Sequence, residues 1–226
     1  MWIILPIKNL DQAKQRLSGA LSAEERRTLF ETMLEDVLSS LKRCTTVDGI
    51  LIVSREDKAR ELADRHDAQL LVEPDNDGQS TAVRRGVEWV KARMGEGVVT
   101  IPGDTPALTS KEIDDLVRLH GGQDRGLTLS PSHDGLGTNC VIATPPDLIT
   151  FHFGHQSFEP HLEEARKADV TPRVKALPGI GLDIDTPEDV LKFLDMDTDT
   201  RTHRYLIETG IADRLKPDRM KSEPAA

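Results

Sequence analysis

Val98-Val99-Thr100-Ile101-Pro102-Gly103-Asp104-Thr105-Pro106-Ala107-Leu108 opens on an apolar, β-branched run and stops at Gly-Asp followed by Thr-Pro. Such a run reads as a buried strand closed by a turn. It sets one carboxylate, Asp104, at the carboxyl end of a central strand, the edge of an open α/β sheet where ligands bind. Gly103 lets another backbone or a phosphate approach closely, and Pro102 and Pro106 stiffen the turn. An Asp placed here has two uses. It is a hard oxygen ligand suited to Mg²⁺, which keeps waters and substrate phosphates as its other ligands, or a turn residue bonding its own backbone.

Outward from this segment, strand and helix patterns alternate. Residues 1–6 read as a first strand, buried on both faces. Ser22-Ala23-Glu24-Glu25 is a capping-box start for a helix that presents Leu29, Met33, Leu34, Val37, Leu38 and Leu41 at helical spacing. Strands are predicted at 49–54 and 68–73, and helices at 57–66, 80–94 and 109–120. Two further strands, 126–131 and 138–143, are joined by a hairpin-like, glycine-containing turn. A helix over 158–168, a strand over 173–177 and a helix ending at Phe193 complete the pattern. This alternation predicts an α/β domain over 1–195, with a mostly parallel sheet and helices on both faces. The chain beyond, 196–226, is polar and is expected to form a tail with one helix near 203–215, then disorder.

The 226 residues are 37% hydrophobic and 30% charged, enough for a sizeable core. A net charge of −10 argues against a nucleic-acid partner and requires any phosphate site to be a local basic pocket. The two cysteines, Cys44 and Cys140, suit neither a disulfide framework nor a zinc site and read as reduced thiols. The N-terminus turns charged after Pro6, so no signal peptide is expected, and no run reaches transmembrane length. A cytoplasmic protein without a membrane partner is the expectation.

Chemistry is expected where four segments meet at the sheet edge. The loop after the first strand carries Lys8, Lys14 and Arg16, which either face phosphates or form a solvated basic loop. It has no Walker A glycines and no G-x-G-x-x-G. Asp104 is the second element. In Leu182-Asp183-Ile184-Asp185-Thr186-Pro187 the two acids share one face of an extended segment. One of them completes a metal site with Asp104, or Asp185 or Thr186 caps the helix that follows. Gly135-Leu136-Gly137-Thr138-Asn139 and Phe153-Gly154-His155-Gln156-Ser157-Phe158 are glycine-plus-hydroxyl segments suited to cradling an anion. Ser157 is alternatively a plain helix cap. The seven histidines are scattered. His155 and His161 lie near the anion segment, where solvent exposure or capping is expected of them. No Ser/His/Asp, Cys/His or paired-Glu arrangement is readable, and metal-assisted phosphoryl-type transfer needs none.

In order and spacing, Leu5-Pro6-Ile7-Lys8, Ala13-Lys14-Gln15-Arg16-Leu17, 102–108, 134–139, Phe153-Gly154, Ser157-Phe158 and 182–189 resemble the guanylyltransferases that build the phosphodiester precursor of the deazaflavin coenzyme F-420. These act on 2-phospho-L-lactate, phosphoenolpyruvate or 3-phospho-D-glycerate and are related to the molybdenum-cofactor guanylyltransferases. The resemblance implies a Rossmann-like, GT-A type nucleotidyltransferase fold, and GTP and a small phospho-acid as substrates. It implies Mg²⁺-dependent attack of the acceptor phosphate on the α-phosphorus of GTP, with pyrophosphate leaving. Carried over, Lys8, Lys14 and Arg16 would hold the triphosphate, with Gly103 beside the nucleotide. Asp104 with Asp183 or Asp185 would hold Mg²⁺, and Thr138, Asn139, Gly154 and Ser157 would bind the acceptor. Two positions depart from the family pattern. Ser80 stands where an Asn associated with base recognition is common, and His155-Gln156 replaces Pro-Gly. Pairing of exposed helices into a homodimer is a further expectation. The competing readings are another GT-A-like enzyme, acting on a sugar phosphate or a cofactor phosphate, and a non-catalytic nucleotide-binding module.

Overall fold

The computed structural model describes residues 1–8 and 10–216. Its strands are β1 (Trp2–Pro6), β2 (Gly49–Ser54), β3 (Gln69–Val72), β4 (Val98–Thr100), β5 (Gly126–Pro131), β6 (Thr138–Thr144) and β7 (Arg173–Val174). The helices are α1 (Ala23–Leu41), α2 (Asp57–His66), α3 (Gln79–Lys91), α4 (Ser110–His120), α5 (Phe158–Lys167), α6 (Pro178–Gly181), α7 (Pro187–Leu194), α8 (Arg201–Glu208) and α9 (Ile211–Leu215). The strands form one sheet in the order β3-β2-β1-β4-β6-β5-β7. Only β6 runs against its neighbours, pairing antiparallel with both β4 and β5.

The continuous apolar strands are explained by a core on each face. Ile3, Leu5 and Val99 point into one cluster, where α1, α2, α4 and α7 cover the sheet. Ile4 and Val98, on the opposite pleat, join Ala82, Val83, Val87 and Val90 of α3 and Ala165 of α5. Glycine is required where β1 meets α3: a Cβ on Gly86 would lie 2.8 Å from Ile4.

Two expectations change. The strand read at 173–177 shrinks to two residues, paired with β5. The segment after Asp195 forms two helices where one was expected, α8 docked on α1 and α9 packed against α7 and α8. Asp36 of α1 accepts hydrogen bonds from the Thr202 amide (2.7 Å), the Thr202 hydroxyl (2.8 Å) and the Arg201 amide (3.0 Å). Leu206 and Ile211 are fully buried in the larger core. The disorder expected at the end of the tail lies outside the described residues. No helix among the described residues is long and apolar enough to cross a membrane.

Candidate active site

The reversal of β6 builds the site. Its pairing with β4 sets Thr100 opposite Val141 and Val99 opposite Ile142. The start of β6, Thr138-Asn139, therefore sits beside the segment that leaves β4 toward Asp104. A backbone hydrogen bond from the Ile184 amide to the Asp104 carbonyl (3.0 Å) draws in the other acidic segment. A cleft of about 380 Å³ opens between them, lined by Arg16, Asp104, Asp183 and Asp185 on one side and by Thr138, Asn139, Gly154 and Ser157 on the other.

The acidic side is organised by one lysine. Lys14 is in the left-handed conformation (φ 55°, ψ 42°), rare for a side-chain-bearing residue. The residue is 8% exposed, and its ammonium lies 2.6 Å from Asp104 Oδ2 and 2.8 Å from Asp185 Oδ1 and packs over the Phe30 ring. Burial pushes its pKa down, but the two carboxylates outweigh this and hold it above the usual value. Burial also pushes Asp185 up, and Lys14 outweighs it, leaving Asp185 below the ordinary carboxylate range. Arg16 approaches Asp185 Oδ2 only at 3.9 Å, with its side chain largely exposed.

Asp183 has no such partner. Burial, reinforced by the neighbouring Asp104 charge, raises its pKa. Asn139 holds it in place: Nδ2 lies 3.0 Å from Asp183 Oδ1 and 3.0 and 3.1 Å from the Ile180 and Gly181 carbonyls. The Asn139 amide nitrogen thus bonds the acidic segment, while the residue lines the cleft. Helix capping at α7 falls to Thr186, whose hydroxyl accepts from the Asp189 amide in a reciprocal capping box, so Asp185 is free of that duty.

Thr138, Gly154 and Ser157, across the cleft, carry no charge, and Asp134 on the turn before β6 lines it as well. Ser157 makes no side-chain cap to α5, and its hydroxyl accepts from the Thr138 amide at 2.9 Å. Gly154, at φ +142°, takes a backbone conformation that favours glycine. His161 is neither exposed nor a cap. It is fully buried, with Nδ1 3.0 Å from the Thr138 hydroxyl and Nε2 accepting from the His152 amide at 3.1 Å. Burial lowers its pKa to about 4. Its signal was the i, i+4 row Ser157, His161 and Ala165 on one face of the helix. His155, by contrast, is exposed at the rim, 3.9 Å from Asp134.

Three expected nucleotide-site residues are not gathered here. Lys8 does not line the cleft; it forms an ion pair with the buried Glu73 (2.9 Å), which also binds Arg85 at 2.6 Å. Lys8 is therefore set apart from the cleft that Arg16 lines. Ser80 lies outside the cleft, its hydroxyl accepting from the Phe153 amide at 3.0 Å, while its neighbour Gln79 lines the cleft. Gly103 serves close packing, since a Cβ there would come within 2.5 Å of Leu34.

Among the described residues no three His, Cys, Asp or Glu side chains are placed to close around a metal ion. Two carboxylates nevertheless offer oxygens to one. Asp104 Oδ1 is buried without a hydrogen-bond partner, and Asp183 is the acid without a cation. Such a pair suits a hard cation that keeps waters and substrate oxygens in its shell. Cys44 and Cys140 are free; burial raises both thiols, Cys44 to about 12, so neither is a nucleophile.

Comparison with known proteins points the same way as the fold. A family model described as "Guanylyl transferase CofC like" matches residues 1–222, well beyond the 1–194 that the sequence motifs span. The chain is 36% identical over 187 residues to the phosphoenolpyruvate guanylyltransferase of Conexibacter woesei, covering 83% of this chain and 84% of that protein. It is 33% identical over 213 residues to the 2-phospho-L-lactate guanylyltransferase of Methanocaldococcus jannaschii, covering 93% and 90%. Among solved structures, a protein described as a nucleotide-diphospho-sugar transferase from Desulfovibrio desulfuricans G20 superposes with a TM-score of 0.77 at 14% identity, covering 95% of this chain and 97% of that one.

Proposed function

Because this chain belongs to the guanylyl transferase CofC-like family, we propose that it transfers GMP from GTP to the phosphate of a small phosphorylated carboxylic acid and releases pyrophosphate. Phosphoenolpyruvate, 2-phospho-L-lactate and 3-phospho-D-glycerate are the acceptors to test, and the product would feed assembly of the deazaflavin coenzyme F-420. The observation that carries this reading is the division of the cleft. An acid cluster in which Asp104 Oδ1 has no partner shares the cleft with Thr138, Gly154 and Ser157, which carry no charge.

In this reading Asp104 and Asp183 hold Mg²⁺. When bound, the ion supplies Lewis-acid charge to the triphosphate and orients it. Lys14 and Arg16 are the cations beside the acids, and they neutralise charge that builds on the departing pyrophosphate. Thr138 and Ser157 hold the acceptor's anionic oxygens. A phosphate nucleophile is already ionised at neutral pH, so the cleft needs to position it and not to deprotonate it. That fits a site whose one fully buried ring, His161, stays neutral.

The test is pyrophosphate release with GTP and Mg²⁺, each phospho-acid supplied separately and ATP as the control nucleotide. Release that requires GTP and one of the acids is expected. Release with ATP but not GTP overturns the guanine assignment, and no release with any acid overturns the reading.

A further inference from the structure

The buried histidine behind the acceptor wall has a fixed hydrogen-bonding sense. A backbone amide can only donate, so the His152 N–H makes Nε2 of His161 an acceptor at 3.1 Å. A neutral imidazole then carries its one proton on Nδ1, which faces the Thr138 hydroxyl at 3.0 Å. The hydroxyl must accept there, and its own hydrogen is left to donate elsewhere. Thr138 lines the cleft. Ser157 is constrained in the same way: it accepts from the Thr138 amide, which frees its hydrogen for the cleft. Both hydroxyls are thereby oriented as donors before any anion arrives.

His161 also secures the backbone that closes this wall. The His152 amide that it binds belongs to the segment leading to Gly154, and the Phe153 ring stacks edge-on against the imidazole at 5.4 Å between centroids. The next amide along, that of Phe153, is held by the Ser80 hydroxyl. Around the ring stand His152, Glu164 and Ser157, and the Glu164 carboxylate is engaged with Lys167 at 2.7 Å.

We infer that His161 is a positioning residue for acceptor binding: its Nδ1–H commits the Thr138 hydroxyl to donate to an anionic oxygen in the cleft, while Nε2 pins the segment that carries Gly154. The inference rests on the proposed acceptor class and extends it to a residue that does not touch substrate.

The experiment uses two amide replacements in the full-length enzyme. The Asn amide falls near the position of Nδ1 and the Gln amide near that of Nε2. H161N therefore preserves the donor to Thr138, and H161Q loses it while still offering an acceptor to His152. Calorimetric titration with phosphoenolpyruvate, 2-phospho-L-lactate and 3-phospho-D-glycerate, each in turn, is paired with KM measurements for the acid that binds and for GTP. H161Q is expected to weaken acid binding about tenfold, the size of one hydrogen bond to a charged group. The KM for GTP should not move, and H161N should recover most of the loss. In a Thr138→Val background H161Q should add nothing further, because the two act through one hydroxyl. Unchanged acid affinity in H161Q, or equal changes in acid and GTP, overturns the inference while leaving the acceptor reading intact. Wild-type enzyme that binds none of the three acids overturns both. Should H161Q fail to fold, Thr138→Ser against Thr138→Val decides: Ser must keep the affinity that Val loses, and equal loss refutes the donor role.

Discussion

On one side of the cleft two carboxylates hold a single buried ammonium and a third, Asp183, goes without; on the other, Thr138, Ser157 and Gly154 carry no charge at all. The two sides are held by different physics. Lys14 bridges Asp104 and Asp185 and holds Asp185 below the ordinary carboxylate range, while burial and the Asp104 charge push Asp183 up. The wall is fixed by neutral hydrogen bonds whose donors and acceptors are all assigned, with a buried imidazole at the back. On the proposed reading, the charge-rich half with one orphan oxygen receives a cation, and the half with uncharged donors receives an anion. A transferase that joins two negatively charged substrates needs both halves.

The sharpest way to break this contrast is Asp104→Asn. Losing a metal-binding carboxylate forfeits several kcal/mol of transition-state stabilisation, so turnover should fall on the order of 10³-fold with the circular dichroism spectrum unchanged. Near-normal rates would remove Asp104 from the chemistry. Next comes the division of labour between the other two acids. Asp183→Asn should cut turnover roughly 100-fold and raise the Mg²⁺ concentration needed for half activity, whereas Asp185→Asn should cost only about tenfold, on the scale of lost supporting contacts. A Mg²⁺ titration in which Asp185→Asn is the worse variant would reverse the assignment. On the neutral side, Ser157→Ala should raise the KM for the phospho-acid about tenfold, as expected for one charge-assisted hydrogen bond, and leave the KM for GTP alone. If GTP suffers instead, the wall faces the nucleotide and not the acceptor.

The smallest effect concerns acid. His120, buried between the hydroxyls of Thr128 and Thr144 at 3.0 Å each, ties β5 to β6 and stays neutral. Burial, with the Arg173 charge adding to it, lowers its pKa to about 4. The unfolded chain binds that proton near pH 6.5, so stability is whole above this value and drains as pH falls toward 4. From pH 7 to 5.5 the loss from this ring should be roughly 1 kcal/mol, read as a drop of about 2–4 °C in Tm. His120→Asn should flatten that dependence, and an unaltered slope would show that the ring is not its source.

Much of the acidic side was legible because its signals are local. A β-branched run ended by Gly-Asp, and two acids at alternate positions before Thr-Pro, need no knowledge of the rest of the chain. The glycine turn at 132–137 likewise marked the β5–β6 hairpin. The misreadings share another origin, in pairings between distant residues. Nothing near Lys8 announces that Glu73 will take it from the phosphates, and nothing near Asn139 announces Asp183, 44 residues on. The helix expected near 203–215 forms as two, parted at Gly210, which takes a left-handed conformation (φ 70°) between α8 and α9. Ser80 showed the same limit: its sequence neighbourhood suggested a contact with the base, and tertiary structure turned its hydroxyl to the Phe153 amide.

The reversed strand carries a consequence for how such enzymes diversify. The acceptor wall grows out of the hairpin turn before β6 and the 152–157 segment reached after β6 has crossed the sheet and returned. The acids hang from β4 and from the segment before α7, which is tied to the hairpin through the His133 amide on the Gly181 carbonyl and through Asn139 on Asp183. Surface turns tolerate insertion and replacement far better than paired strands do. On the proposed reading those turns choose the molecule being activated, and any rewriting of them has to keep Asn139, because the acids are aligned through it.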